Sequence, residues 1–242
     1  MNIKSKKGFT LIELAVVIVV IGLIIGIVIK GQQMVADSRI TAVINQVNSL
    51  RSAITTFQEK FGAIPGDFAL ARNKLPGCED GGEACTNGNG DGILGSAGSV
   101  VSDTISEESR MAWQQLAYAN LITGIVPGAP AGESVFGQNF PAARTGGGFV
   151  LVTGSLGTPS LTGTWLRLQN SLAAGSVQTV TEGNGALTPG QAAEIDRKLD
   201  DGKPLTGYVR AGGVTANCTP STGDYNEKAS SKDCILFFYV NQ

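Results

Sequence analysis

One carboxylate stands inside an otherwise apolar run near the start of this chain, and that is where the residues first imply chemistry. Phe9 to Ile29 is 21 residues long, and Thr10 and Glu13 are its only clearly polar members. At about 1.5 Å per residue the run is roughly 32 Å long as a helix, enough to cross the hydrocarbon core of a bilayer. An acid at that depth costs on the order of 2.5–3.5 kcal/mol and calls for a partner. No base lies within the run, and Lys4, Lys6 and Lys7 of the preceding leader belong with the cytoplasmic headgroups under the positive-inside rule. A cut between Gly8 and Phe9 would create a partner. The new α-amino group of Phe9 is a cation about one helical turn from Glu13, in the same chain or in a packed neighbour. An ordinary secretory signal peptide fits less well, because Val28-Ile29-Lys30-Gly31 is not a small-residue cleavage site.

Asn87-Gly88-Asn89-Gly90-Asp91-Gly92-Ile93 places oxygen-bearing side chains at alternate positions, with Gly92 able to make a sharp turn, as half of a calcium loop would. The other half departs from that pattern, since Gly98 stands at the twelfth position where a bidentate glutamate belongs. The same segment is a run of strong turn formers. Calcium on Asn87, Asn89 and Asp91 therefore needs further acids, and Glu79, Asp80 and Glu83 are the candidates; no cofactor is otherwise required. Cys78, Cys85, Cys218 and Cys234 are an even number, for which disulfides are the default in an oxidising compartment, with three connectivities open. Zinc is poorly served: the chain has no histidine, and neither close pair has C-x₂-C spacing. Asp196, Asp200 and Asp201 close a helical stretch, where acids oppose the macrodipole; a solvated turn is the simplest account, with Lys203 and Arg210 as alternative partners.

An enzyme finds little support. The commonest general base is missing with histidine, and no nucleophile elbow, P-loop or dinucleotide fingerprint occurs in context. A net charge of −2, or −5 once Lys4, Lys6 and Lys7 are removed from it, leaves no overall basic footprint for nucleic acid.

Lys6-Lys7-Gly8-Phe9-Thr10-Leu11-Ile12-Glu13, followed by the apolar run, resembles the prepilin cleavage and methylation signal of type IV pilins and type II secretion pseudopilins. The resemblance implies that a prepilin peptidase cleaves between Gly8 and Phe9 and methylates the Phe9 amine. It also implies that Glu13 pairs with the Phe9 amine of an adjacent subunit during assembly of a pilus or pseudopilus filament. Its expected partners are other pilin-like subunits, the peptidase and the inner membrane, which the chain spans once as a precursor before joining a periplasmic or surface filament. By the same resemblance Cys218 and Cys234 form a C-terminal disulfide loop, which pairs Cys78 with Cys85. The alternative reading is a monomeric, membrane-tethered periplasmic domain that binds a ligand or ion.

These residues need a scaffold, and the sequence outlines one. No proline occurs before Pro65, and Ala36, Ile40, Val43, Val47, Leu50, Ile54, Phe57 and Phe61 recur at spacings of three and four, one face of a helix. The simplest structure is one helix from about Phe9 to Phe61, apolar all round in its first half and amphipathic in its second, ended by a turn at Pro65-Gly66. Many type IV pilins carry a proline near the end of the apolar half; this chain has Lys30 and Gly31 there. Ser106-Glu107-Glu108 starts a helix with Trp113, Leu116, Ala117 and Leu121 on one face. A second helix runs from the Thr188 N-cap and Pro189 to about Leu199, stopped by Gly202. Strand candidates are Phe149–Thr153, Trp165–Gln169, Ser176–Thr181, Thr206–Arg210 and Ile235–Val240. The expected fold is α+β, a pilin-like long helix packed on an antiparallel sheet. Its divisions are a leader at 1–8, an apolar half-helix at 9–30, an amphipathic half-helix at 31–62 and a head at 63–242.

Overall fold

The computed structural model describes residues 8–78, 85–95, 106–128, 135–170, 183–220 and 223–240. Helix α1 (Leu11–Phe61) is unbroken and runs straight through Lys30 and Gly31. It starts two residues later than the apolar pattern suggested, because Thr10 is extended and caps it. It is stopped by Gly62 rather than by Pro65-Gly66: Gly62 sits in the left-handed region at φ 69°, which L side chains avoid, and its N–H closes on the Gln58 carbonyl. Pro65-Gly66 then makes the following turn, closed by the Asp67 N–H on the Ile64 carbonyl at 3.1 Å.

Residues 8–39 are exposed, whereas Ile40, Val43, Val47, Leu50, Ala53, Ile54 and Phe57 are buried against the head. The heptad-like stripe thus works from Ile40 upward. Ala36 falls below the head and stays exposed, and Phe61 is half-buried. Each large apolar side chain in the stripe contributes about 1.5–3 kcal/mol by leaving water. Phe57 meets Phe61 at 4.6 Å and Phe68 at 5.9 Å between ring centroids, which fastens the top of the helix to the chain that follows it.

The sheet has four antiparallel strands, β1 (Gly148–Leu156), β2 (Leu161–Gln169), β3 (Val209–Gly213) and β4 (Cys234–Tyr239), in the order β1-β2-β4-β3. Register puts Phe149, Leu151, Leu166, Leu168, Leu236 and Phe238 on one face, and the Arg51 guanidinium of α1 lies 5.9 Å over the Phe238 ring. Trp165, Arg167, Phe237, Tyr239 and Arg210 share the other face, also largely buried. Helices α2 (Ala71–Lys74), α3 (Glu107–Tyr118) and α4 (Pro189–Leu199) complete the head. Side chains cap both longer ones: Ser106 accepts from the Ser109 N–H, and Thr188 and Gln191 form a capping box. The arrangement is α+β, with a long apolar N-terminal helix and an antiparallel sheet. The strand expected at Thr206–Arg210 starts three residues later, at Val209, where Asp200 accepts the N–H groups of Tyr208 and Val209 and so ties the strand's start to the end of α4. The Ser176–Thr181 strand lies outside the described residues. Leu121 falls beyond the end of α3.

Candidate processing and assembly site

Thr10 and Glu13 lie three residues apart, which is capping-box spacing, and the structure uses it. The Thr10 N–H and hydroxyl both donate to Glu13 Oε2 at 2.8 Å, while the Glu13 N–H reaches Thr10 Oγ1 at 3.4 Å. Among the described residues Oε1 accepts no hydrogen bond. The box fixes where the helix begins, so Gly8 and Phe9 stay out of it, and Phe9 is 86% exposed. The Gly8–Phe9 peptide is thereby presented in irregular, accessible backbone one residue before the cap, the condition a protease needs. Sequence reasoning treated Thr10 merely as a polar member of the run, although its T-x-x-E spacing was legible. Beyond the cap, α1 is long and apolar enough to cross a membrane.

In the segment expected to ligate calcium, the side chains of Asn87, Asn89 and Asp91 each cap a backbone N–H, and the backbone closes on Asp67. Asp67, 2% exposed, accepts from the Gly90 N–H (2.7 Å) and Asp91 N–H (3.1 Å) on Oδ1 and from the Gly92 N–H (2.8 Å) on Oδ2. The loop is a nest of backbone donors closed on an internal carboxylate. Asn87 Oδ1 accepts from the Arg72 N–H, Asn89 Oδ1 from the Asp91 N–H, and Asp91 Oδ1 from the Ile93 N–H, each at 2.9 Å. Glu108 adds bonds to the N–H groups of Asn89 and Gly95. A Cβ on Gly88 would overlap the Asp67 backbone, so the chain can pass here only as glycine. Glu79, Asp80 and Glu83 lie outside the described residues. Nothing local in the sequence announced Asp67, which sits 23 to 25 residues from its donors.

Cys78 is joined to Cys85 and Cys218 to Cys234, and all four are fully buried. A closed loop of about 15 residues, the size of the second, stabilises by roughly 3 kcal/mol in the chain-entropy model. Asp233 organises that loop, accepting from the Gly183 N–H (2.8 Å), Asn217 Nδ2 (2.6 Å) and the Ser231 hydroxyl.

The three acids at the end of α4 differ: Asp200 is half-buried and Asp201 exposed, as a solvated turn allows, whereas Asp196, inside the helix, departs from it. Asp196 is fully buried, accepting from the Gly202 N–H at 3.2 Å and the Tyr225 hydroxyl at 2.7 Å. Asp200 accepts from the N–H groups of Tyr208 and Val209, and Asp201 from the Lys203 N–H and the Thr206 hydroxyl. The Lys203 ammonium goes instead to Asp224 at 2.5 Å, and the Arg210 guanidinium to the Leu156, Pro159 and Gly207 carbonyls. Burial pushes the Asp196 carboxyl up to about 7, against the hydrogen bonds from Tyr225 and Gly202 that favour its charged form. An acid with a raised folded pKa holds its proton longer folded than unfolded. Stability therefore falls as pH rises from about 4 to about 7, by up to ~1.4 kcal/mol per pH unit. Denaturant titrations across that range should show wild type losing this increment relative to Asp196→Asn, which carries no titrating group; parallel curves would refute the assignment.

Residues 3–29 match the family model described as the prokaryotic N-terminal methylation motif. The match spans most of the leader and the apolar run and leaves the head outside it. No curated protein and no solved structure matches the chain. The N-terminus is thus a prepilin-type signal, the signature found on type IV pilins and pseudopilins. With the apolar half of α1 behind it, this signal fits a precursor anchored in the inner membrane.

Proposed function

We propose that this chain is a structural subunit of a type IV pilus or of a pilus-like filament such as the type II secretion pseudopilus. Prepilin peptidase cuts it between Gly8 and Phe9 and methylates the new amine, and it then packs through α1 with other pilin-like subunits. The observation that carries this reading is the prepilin-type signal joined to a helix whose first half is apolar and wholly exposed, while its second half is built into the head. About 30 Å of greasy helix has no partner among the described residues, and it can be satisfied by lipid before assembly and by neighbouring helices after it. The open Glu13 Oε1 supports the charge pairing, since it leaves the carboxylate an acceptor site beyond its own cap. A structural role needs no catalytic constellation, and buried acids such as Asp196 serve the fold.

Mass spectrometry of the N-terminal peptide from membrane and sheared-filament fractions tests processing. The expected species begins at N-methylated Phe9. An intact leader in all fractions would count against filament assembly and for a tethered monomer.

A further inference from the structure

Where α1 leaves the head, an open cleft of about 630 Å³ is lined by Ser38, Arg39, Ala42, Arg144, Thr145 and Gly146. Arg39 and Arg144 are exposed, and neither makes an ion pair or side-chain hydrogen bond with the described residues. Lys232 braces the turn from behind, its ammonium 2.9 Å from the Thr145 carbonyl. The Thr145 hydroxyl is buried without a hydrogen-bond partner. Gln46 ties the neighbouring chain to α1 through the Ala142 carbonyl at 2.7 Å, so the two arginines are held on one rigid frame. The acids nearby do not neutralise them. Asp37 is two residues from Arg39, hence about 200° away around the helix, and Asp233 is engaged by Gly183, Asn217 and Ser231.

The position of this cleft points to its ligand. The apolar run ends at Ile29, and Arg39 follows Lys30 by nine residues, about 14 Å along the helix. Headgroups occupy roughly 5–8 Å beyond the hydrocarbon, so an arginine side chain directed down the helix, with ordinary tilt, spans most of the rest. We propose that this cleft binds the phosphate of acidic phospholipid headgroups in the membrane that α1 spans, and so seats the head on the bilayer before assembly. Arginine suits that task, because its planar fork grips phosphate through two donors. The site concerns the membrane-anchored precursor and holds whether or not a filament follows.

Amide hydrogen exchange on the full chain in lipid nanodiscs tests it, comparing phosphatidylcholine alone with phosphatidylcholine plus phosphatidylglycerol. A basic residue at an acidic surface is worth roughly a factor of five. Exchange across 142–147 should therefore slow several-fold in the acidic discs, recover at high salt, and remain fast in the Arg39→Gln/Arg144→Gln double variant. Unchanged protection of β1, β2 and β4 in that variant reports that the head is folded. Equal exchange in the two lipids, or protection that survives the double substitution, would overturn the proposal. So would equal protection by inorganic phosphate added to phosphatidylcholine discs, which would assign the cleft to a soluble anion.

Discussion

Replacing Glu13 by alanine should leave insertion and head folding intact while removing the subunit from sheared filaments. The carboxylate has two separable tasks. Its local one is the capping box with Thr10, and a cap of that kind is worth about 1 kcal/mol. Its second, in the proposed assembly, is to meet the Phe9 amine of a neighbour inside an apolar array, where an uncompensated charge costs on the order of 2.5–3.5 kcal/mol. Losing the acid would strand the amine, so subunit addition should weaken by about a hundred-fold. Glu13→Gln separates the tasks, because glutamine can close a capping box and carries no charge. If charge sets register, the glutamine variant fails to assemble as the alanine variant does, whereas Thr10→Ala, which keeps the charge, still assembles. Immunoblots of sheared and membrane fractions read the outcome. Normal filaments with Glu13→Gln would show that the acid matters only as a cap.

The second large effect is expected at Asp67, a residue far from the processing signal. Its carboxylate accepts three backbone N–H groups from Gly90, Asp91 and Gly92, and it is almost wholly removed from solvent. Hydrogen bonds to a charged acceptor are worth about 1.5–3 kcal/mol each, and water can replace part of that on a loop that is itself exposed. Asp67→Ala should therefore destabilise the head by ~3–4 kcal/mol, and Asp67→Asn by less, since the amide keeps one acceptor oxygen and turns a donor toward the third N–H. Denaturant unfolding with both disulfides intact gives the magnitude. Hydrogen exchange at residues 90–92 locates it. A loss below about 1 kcal/mol for alanine would mean that solvent satisfies the loop as well as the carboxylate does.

Periodicity carried much of the architecture. The stripe from Ile40 to Phe57 was readable because a 3.6-residue period forces apolar positions onto one face, and that face is the one buried. Thr188, Pro189 and Ser106 announced helix starts, since orphan N–H groups at a helix end demand such residues wherever they occur. Both longer strands extend past their apolar cores, β1 to Leu156 and β2 back to Leu161, because they pair with each other across a tight connection. That pairing is a property of two segments and is weakly written in either. The same reason hid the environment of Asp196, whose hydroxyl partner Tyr225 is 29 residues away.

The sequence by itself determined the prepilin-type signal, the apolar run and the helix that carries them, because each depends on contiguous residues: Gly8–Phe9 after a basic leader, an acid at Glu13, an unbroken apolar run and a regular stripe behind it. Tertiary structure decided what surrounds them. It centred the Asn87–Asp91 loop on Asp67, buried Asp196, and set Arg144 beside Arg39 at the foot of the head. Those are juxtapositions across long chain separations, fixed by which surfaces bury most apolar area and which polar groups must then find partners. Local pattern cannot encode them one segment at a time.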